Sequence, residues 1–261
     1  MNKDLKIIGV IPAHLNSLRF KRKILKDILG IPMIEHVRRR AERSRLLDEV
    51  LVASGDDEIL NVVSENGGRV IKTYESHLNG TSRVTEIIKS KECSHVLIIQ
   101  GDEPLIKEEH IKNMTTAIKK NPEIDSWNSL SEIILKEDLF KKNIVKAAIN
   151  ENNKILYCFR RSPSFSMVEN QLSYIKKIQG LIGFKKETLL KLELIDRPKC
   201  EIFESIEQLR IISYGLNLFG IMQKDQVPSI NEEKDLEDLF IYLDKNKYEY
   251  KITQEIINGK Y

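Results

Sequence analysis

SHVLIIQGDEP, residues 94–104, decides the fold. Four apolar residues, Val96 to Ile99, run without alternation and stop at Gln100 and Gly101. Two acids, Asp102 and Glu103, follow, then Pro104. A short apolar run that ends in turn chemistry reads as a strand buried on both faces, as in a parallel sheet. Two earlier stretches have the same form, IIGVIPA (7–13) and DEVLVASG (48–55), and RVIKT (69–73) is a shorter one. Between them lie helical patterns: PMIEHVRRRAERSRL (32–46), DEILNVVSENGG (57–68) and TSRVTEIIKSK (81–91), with Thr81 as its expected N-cap. EEHIKNMTTAIKK (108–120) is the next. Alternating β and α segments predict an α/β fold: a mainly parallel twisted sheet flanked by helices.

The second half is less regular. NIVKAAIN and KILYCFRR predict two strands joined by the turn NENN (150–153), a small antiparallel portion. QGLIGF (179–184) and NLFGIMQ predict strands, with KETLLKLEL helical between them. EIFESIEQLRIISYG (201–215) reads as one amphipathic helix ended by Gly215, and NEEKDLEDLFIYLDKN (231–246) as a helix capped by Asn231. No repeat or low-complexity linker divides the 261 residues, so a single domain is the simplest reading.

The composition, 41% hydrophobic and 31% charged, is that of a folded protein. No apolar run is long enough to span a membrane, and the opening MNKDLKIIGVIPAH lacks the form of a secretory leader, so a cytoplasmic protein is expected. Net charge is +3, from 42 basic and 39 acidic residues, which supplies no argument for nucleic acid as a partner. The basic cluster at 38–40 reads as a solvated helix face. Three widely spaced cysteines and five histidines without ligand spacing argue against a disulfide framework or a zinc site.

In a parallel sheet, ligands bind beyond the carboxyl ends of the strands. The ends IPAHLNSLR, VASGDDE and IIQGDEP all turn polar there. HLNSLRFKRK (14–23) holds Arg19, Lys21, Arg22 and Lys23 but no P-loop or Rossmann glycines. It reads as a polyphosphate cradle or as an exposed basic loop. Asp102 reads as a Mg²⁺ ligand or as an acid at the start of the next helix. HLNGTSR (77–83) joins a His to a Gly-Thr turn and Arg83.

Taken together, IPAHLNSLRFKRKIL, SHLNGTSRVTEII and IIQGDEPLI resemble the CMP-Kdo synthetases, the 3-deoxy-manno-octulosonate cytidylyltransferases. The resemblance continues through NIVKAAIN, LYCFRRSP, EIFESIEQLRII and SINEEKDL, in the family's order along nearly the whole chain. It implies a nucleotide-diphospho-sugar transferase-like fold. It also implies a Mg²⁺-dependent homodimer that moves CMP from CTP to a 2-keto-3-deoxy sugar acid and releases pyrophosphate, for lipopolysaccharide or other surface polysaccharide. Under it, the nucleotide part spans about 1–120, and the sugar-binding and dimerisation part about 121–261. Arg19 and Lys23 match triphosphate-binding positions, and Ala13, Asn79, Gly80 and Thr81 match nucleotide-reading ones. Gln100, Arg160, Glu207 and Gln208 match sugar-site positions. Asp102 matches the metal-binding Asp, and Asn231 stands where a second metal Asp is expected.

Several positions depart from the family pattern. His14 replaces an Arg, Lys21-Arg22 replaces Pro-Gly, Asn79 replaces a Ser and Ser82 a Glu. Ile178 and Ile182 replace a His and a Tyr. The nucleotide half is thus better kept than the sugar half, and an acceptor other than Kdo, but also an acidic sugar, is one expectation. Two alternatives stand beside it: a non-catalytic nucleotide-binding relative, and a transferase of the same fold acting on a sugar phosphate or phosphonate.

Overall fold

The computed structural model describes residues 5–17 and 19–261. The first four residues, part of the opening stretch, and Leu18, in the basic loop, lie outside the described residues. The chain forms two compact units, one of residues 1–115 and 227–261, the other of 116–226.

The first unit begins with β1 (Ile7–Pro12), all six residues buried, followed by a short hairpin, β2 (Asp27–Ile28) with β3 (Ile31–Pro32). Helix α1 (Met33–Arg43), β4 (Glu49–Ser54), α2 (Asp57–Glu65), β5 (Val70–Lys72), α3 (Gly80–Ile88), β6 (His95–Ile99) and α4 (Glu108–Lys120) follow. β1 is central. It pairs parallel with β6 (Ile7 opposite His95) and with β4 (Ile8 opposite Glu49), and β4 pairs parallel with β5. The near-continuous burial of β1, β4 and β6 is what a sheet covered on both faces requires.

The chain enters the second unit within α4. There lie β7 (Ser126–Ser131), β8 (Lys146–Ile149), β9 (Ile155–Phe159), α5 (Val168–Tyr174), β10 (Ile175–Lys185), α6 (Lys186–Glu193), α7 (Lys199–Glu204), α8 (Gln208–Ser213) and β11 (Leu218–Gln223). β7 pairs antiparallel with β10 and parallel with β11, while β8 bridges β10 and β9, antiparallel to both. The expected hairpin at 150–153 is the β8–β9 turn, and the expected fold class holds. Two helices, α9 (Asp235–Lys245) and α10 (Lys247–Ile257), return to the first unit.

Three local expectations need correction. Arg38, Arg39 and Arg40 are not a solvated face: they are 1, 7 and 3% exposed. Glu35, fully buried, accepts from Arg38 Nε (2.8 Å), Arg38 Nη2 (2.7 Å) and Arg39 Nε (2.8 Å). Arg40 pairs with buried Glu249 of α10 at 2.6 Å. Arg38 and Arg39 also stack on the Tyr261 ring, 5.6 and 5.4 Å from its centroid. The charges are tolerated inside because each guanidinium meets a carboxylate or a carbonyl oxygen.

The predicted helix 201–215 is broken into α7 and α8 by Ser205, whose φ of 52° and ψ of 50° are left-handed. And α9 starts at Asp235, not at Asn231. The Asp235 carboxylate instead turns back to accept from the Asn231 and Glu232 amides at 2.7 and 2.8 Å.

His36 couples α1 to the hairpin through its Nε2 and the Ile28 carbonyl, 2.7 Å apart. Burial is the main cause that pushes its pKa down from 6.5 to about 4. The folded protein therefore holds His36 neutral, while the unfolded chain takes up a proton below 6.5, so this contribution is present at neutral pH and is lost as pH falls toward 4. Chemical denaturation at stepped pH should show wild type losing about 3 kcal/mol more than His36→Gln as pH falls through that window. Removing the Glu35 carboxylate in Glu35→Ala leaves two buried guanidiniums without it and should cost about 3–5 kcal/mol in urea unfolding.

Candidate active site

The carboxyl ends of β1, β4 and β6, with the β5–α3 segment, enclose a cavity of about 540 Å³ in the first unit. This is where a parallel sheet places its ligands. Pro12, Ala13 and His14 enter from β1, Gly55 and Asp56 from β4, and Gln100, Gly101 and Asp102 from β6.

The basic loop after β1 is pinned at both ends. The Leu15 amide donates to Asp56 Oδ2 at 2.9 Å, and Ala13 N to the Ala53 carbonyl at 2.9 Å. Arg22 takes a left-handed conformation, φ 57°, and its guanidinium bonds Glu58. The chain then turns into a 3₁₀ segment, Lys23–Leu25, and Lys23 points inward. Its ammonium donates to Asp102 Oδ2 at 2.8 Å and to the Ile230 carbonyl at 3.1 Å. The Asp102 carbonyl in turn accepts from the Ile230 amide at 2.8 Å. Asp102 therefore does not belong to the helix that follows; α4 begins six residues later, at Glu108. At Gly101 the backbone runs close to Ile24, whose Cδ1 would lie 2.9 Å from a Cβ added there.

Arg19 is exposed, and its Nη2 lies 3.3 Å from Asn231 Oδ1. Since Ile230 is tied to both Lys23 and Asp102, Asn231 and Arg19 sit beside that pair. On the opposite wall Asn79 caps α3, its Oδ1 accepting from Ser82 N at 2.9 Å. The helix starts at Gly80, so Thr81 is inside it and is not the cap.

The wall is stiffened by Glu86, which accepts from the Tyr74 amide at 3.0 Å and faces His77 Nε2 at 2.7 Å. Burial works against the Glu86 carboxylate, but these bonds outweigh it and hold its pKa below the usual range. Arg83 bonds Thr73. His14 has its pKa lowered by burial and then by the nearby cations Arg83 and Lys23, so at neutral pH it is an uncharged hydrogen-bonding group. His14, Asp56 and Arg83 also line the cavity, although no sequence motif assigned them there. The signal for them was their place at strand ends and in HLNGTSR.

The remaining candidates lie in the second unit. Gln208 is buried, and its Nε2 donates to Asn128 Oδ1 at 2.8 Å; Asn128 reaches the Gln179 carbonyl at 3.0 Å. Glu207 immediately precedes α8. Arg160 closes the end of β9. Its Nε donates to the Glu204 carbonyl (2.9 Å), its Nη1 to Lys142 (3.0 Å) and its Nη2 to Ser205 (3.0 Å). Ile182 is buried in β10 and Ile178 is half-buried, with a register shift between them.

The first unit is thus a parallel α/β sheet with a lysine and an acid paired where its carboxyl edge lines a cavity, the architecture of a ligand-binding α/β domain. A family profile described as Cytidylyltransferase matches residues 8–247. The 3-deoxy-manno-octulosonate cytidylyltransferase of Fusobacterium nucleatum is 32% identical, with 93% of this chain and 98% of that protein covered. The one from Thermodesulfovibrio yellowstonii is 36% identical over 88% and 95%. Among solved structures, a CMP:2-keto-3-deoxy-manno-octonic acid synthetase complexed with CTP superposes with a TM-score of 0.86. It is 27% identical and covers 92% of this chain and 99% of its own. The chain belongs to the 3-deoxy-manno-octulosonate cytidylyltransferase family and is an enzyme, a nucleotidyltransferase.

Gly80 tests how tightly the α3 wall is built. A Cβ there would meet Pro12 Cγ at 2.8 Å, and the proline ring cannot swing away. Gly80→Ala should therefore lose about 1–2 kcal/mol in denaturant unfolding, despite the better helix propensity of Ala.

Proposed function

We propose that this protein transfers CMP from CTP to the anomeric hydroxyl of Kdo or a closely related 2-keto-3-deoxy sugar acid. The observation that carries the proposal is the Lys23–Asp102 pair at the mouth of the strand-end cavity, in a chain of this family. In the reaction the sugar oxygen forms a bond to the α-phosphorus of CTP and the bond between α-phosphorus and pyrophosphate breaks. The hydroxyl proton is lost to solvent or base, and pyrophosphate leaves. Such a transfer is limited by positioning and by charge neutralisation rather than by covalent chemistry.

Lys23 and Arg19 supply the positive charge for the triphosphate, with Arg83 and neutral His14 in or beside its path. Ala13, Asn79, Gly80 and Thr81 are assigned to the nucleotide. Because Asn79 Oδ1 is committed to the helix cap, its amide nitrogen is the group assigned to the ligand. Gln100, Arg160, Glu207 and Gln208 are assigned to the acceptor.

The assigned metal is Mg²⁺, held by Asp102 with Asn231 beside it. The residues fit that ion. Only Asp102 Oδ2 is engaged among the described residues, and no group of three or more His, Cys, Asp and Glu is found among them. Mg²⁺ uses one or two carboxylates with phosphate oxygens and water, not a closed protein cage. When bound it would neutralise charge on the phosphates. Asn231 offers a carbonyl oxygen and no charge, now engaged with Arg19. A homodimer in the cytoplasm, with nucleotide handled by about 1–120 and sugar by about 121–261, completes the proposal. Residues 227–261, which carry Asn231, pack within the first unit, and no helix among the described residues is long and apolar enough to cross a membrane.

Pyrophosphate release with CTP, Mg²⁺ and a panel of keto-sugar acids tests the reading; sugar phosphates and phosphonates serve as the alternative acceptors. Activity is expected only with keto acids, and release with none of the panel at high Mg²⁺ would sink the catalytic reading. Asp102→Asn should lower turnover by at least about a hundredfold with the unfolding midpoint unchanged. Asn231→Asp should shift the Mg²⁺ titration to lower concentration.

A further inference from the structure

Lys146, the first residue of β8, is fully buried, and no carboxylate accepts from it. Its ammonium is caged by three backbone carbonyls instead: Lys141 at 2.6 Å, Ile144 at 3.0 Å and Arg160 at 2.5 Å. Asp138, an acid of the earlier 3₁₀ segment Lys136–Leu139, is engaged by Lys141 Nζ at 2.6 Å. The two cations are interlocked. Lys146 holds the Arg160 backbone and the loop at 141–144, and the Arg160 guanidinium holds the same loop at Lys142 and the α7–α8 elbow at Glu204 and Ser205. Three of the five guanidinium N–H donors are spent in this way, leaving two for an incoming carboxylate.

A buried cation without an ionised partner is expensive for folding, and a Met of similar shape would avoid the expense. What it fixes here is the Arg160 backbone together with the 141–144 loop that the Arg160 guanidinium also holds. We propose that Lys146 is a positioning residue for acceptor capture: its charged ammonium fixes the backbone of Arg160 and keeps the two remaining guanidinium donors aimed at the sugar-acid carboxylate. This rests on the reading that Arg160 meets the acceptor.

The proposal has a pH signature. Burial is the main cause that brings the Lys146 pKa down to about 8, with Arg160 and Lys141 lowering it further and Asp138 opposing them; Lys177 lies opposite on β10. The ammonium is therefore intact at neutral pH and lost as pH rises through about 8. Neutral lysine has two N–H donors for three carbonyls and no charge.

Steady-state kinetics would decide it. In wild type the acceptor KM should stay flat to about pH 7 and climb roughly tenfold by about pH 9.5, with the CTP KM unmoved. In Lys146→Met the acceptor KM should already be about tenfold higher at neutral pH and should not climb further, again with the CTP KM unchanged. A wild-type acceptor KM in Lys146→Met, or an identical climb in that variant, overturns the proposal. Should the variant not fold, the wild-type profile alone decides, and a flat acceptor KM overturns it. Arg160→Gln separates the two layers: an unchanged acceptor KM removes the reading that Arg160 meets the acceptor. A raised KM there with a silent Lys146→Met removes only the role of Lys146.

Discussion

The site in the first unit depends on one ion pair. Lys23 and Asp102 come from loops that follow different strands, and they meet because β1 and β6 are parallel neighbours in register, Ile7 beside His95. Strands that start level end level, so both loops open at one edge. The pair is partly sheltered, with side chains 12 and 26% exposed, where a charge-assisted bond is stronger than at an open surface. It also recruits the end of the chain. Ile230 gives its carbonyl to Lys23 and its amide to Asp102, which sets Asn231 next to Arg19. Two strand ends and a segment more than a hundred residues downstream share one node.

The two units handle buried charge in different ways. In the first, cations meet carboxylates: Lys23 with Asp102, Arg40 with Glu249, and Arg38 and Arg39 with Glu35. The Lys23–Asp102 and Arg40–Glu249 pairs also fasten different segments together, whereas Glu35 binds arginines of its own helix. In the second, Glu201 follows the same rule with Arg197 and Arg210, but Lys146 and Arg160 are held by carbonyl dipoles alone. Carbonyl oxygens satisfy these donors without neutralising them as an ionised partner would.

The strands and most helices of the first unit were legible because burial on both faces leaves an unmistakable apolar run. What escaped reading has a physical explanation in each case. SWNSLS at 126–131 is polar, yet every residue is buried. Asn128 and Ser129 satisfy their side chains against Gln208, Gln179 and the backbone, partners far away in sequence. The arginines 38–40 looked like a wet face because, besides Glu35 on their own helix, their partners Glu249, Asn66 and Tyr261 are distant in sequence. Ser205 broke a regular amphipathic pattern without the glycine that usually marks a left-handed residue.

The order of motifs along the chain was enough to determine the α/β fold and the family, and to mark the basic loop and acidic strand end as candidates. These are local facts: hydrophobic period, turn residues and short motifs are written in consecutive letters. Only the tertiary structure decided how those residues are engaged. It decided that Lys23 bonds Asp102, that Asn79 and not Thr81 caps α3, and that Arg160 spends three donors on the Glu204, Lys142 and Ser205 carbonyls. Those outcomes turn on which groups strand register and helix packing bring within hydrogen-bond distance, and the local pattern of a sequence does not carry that information.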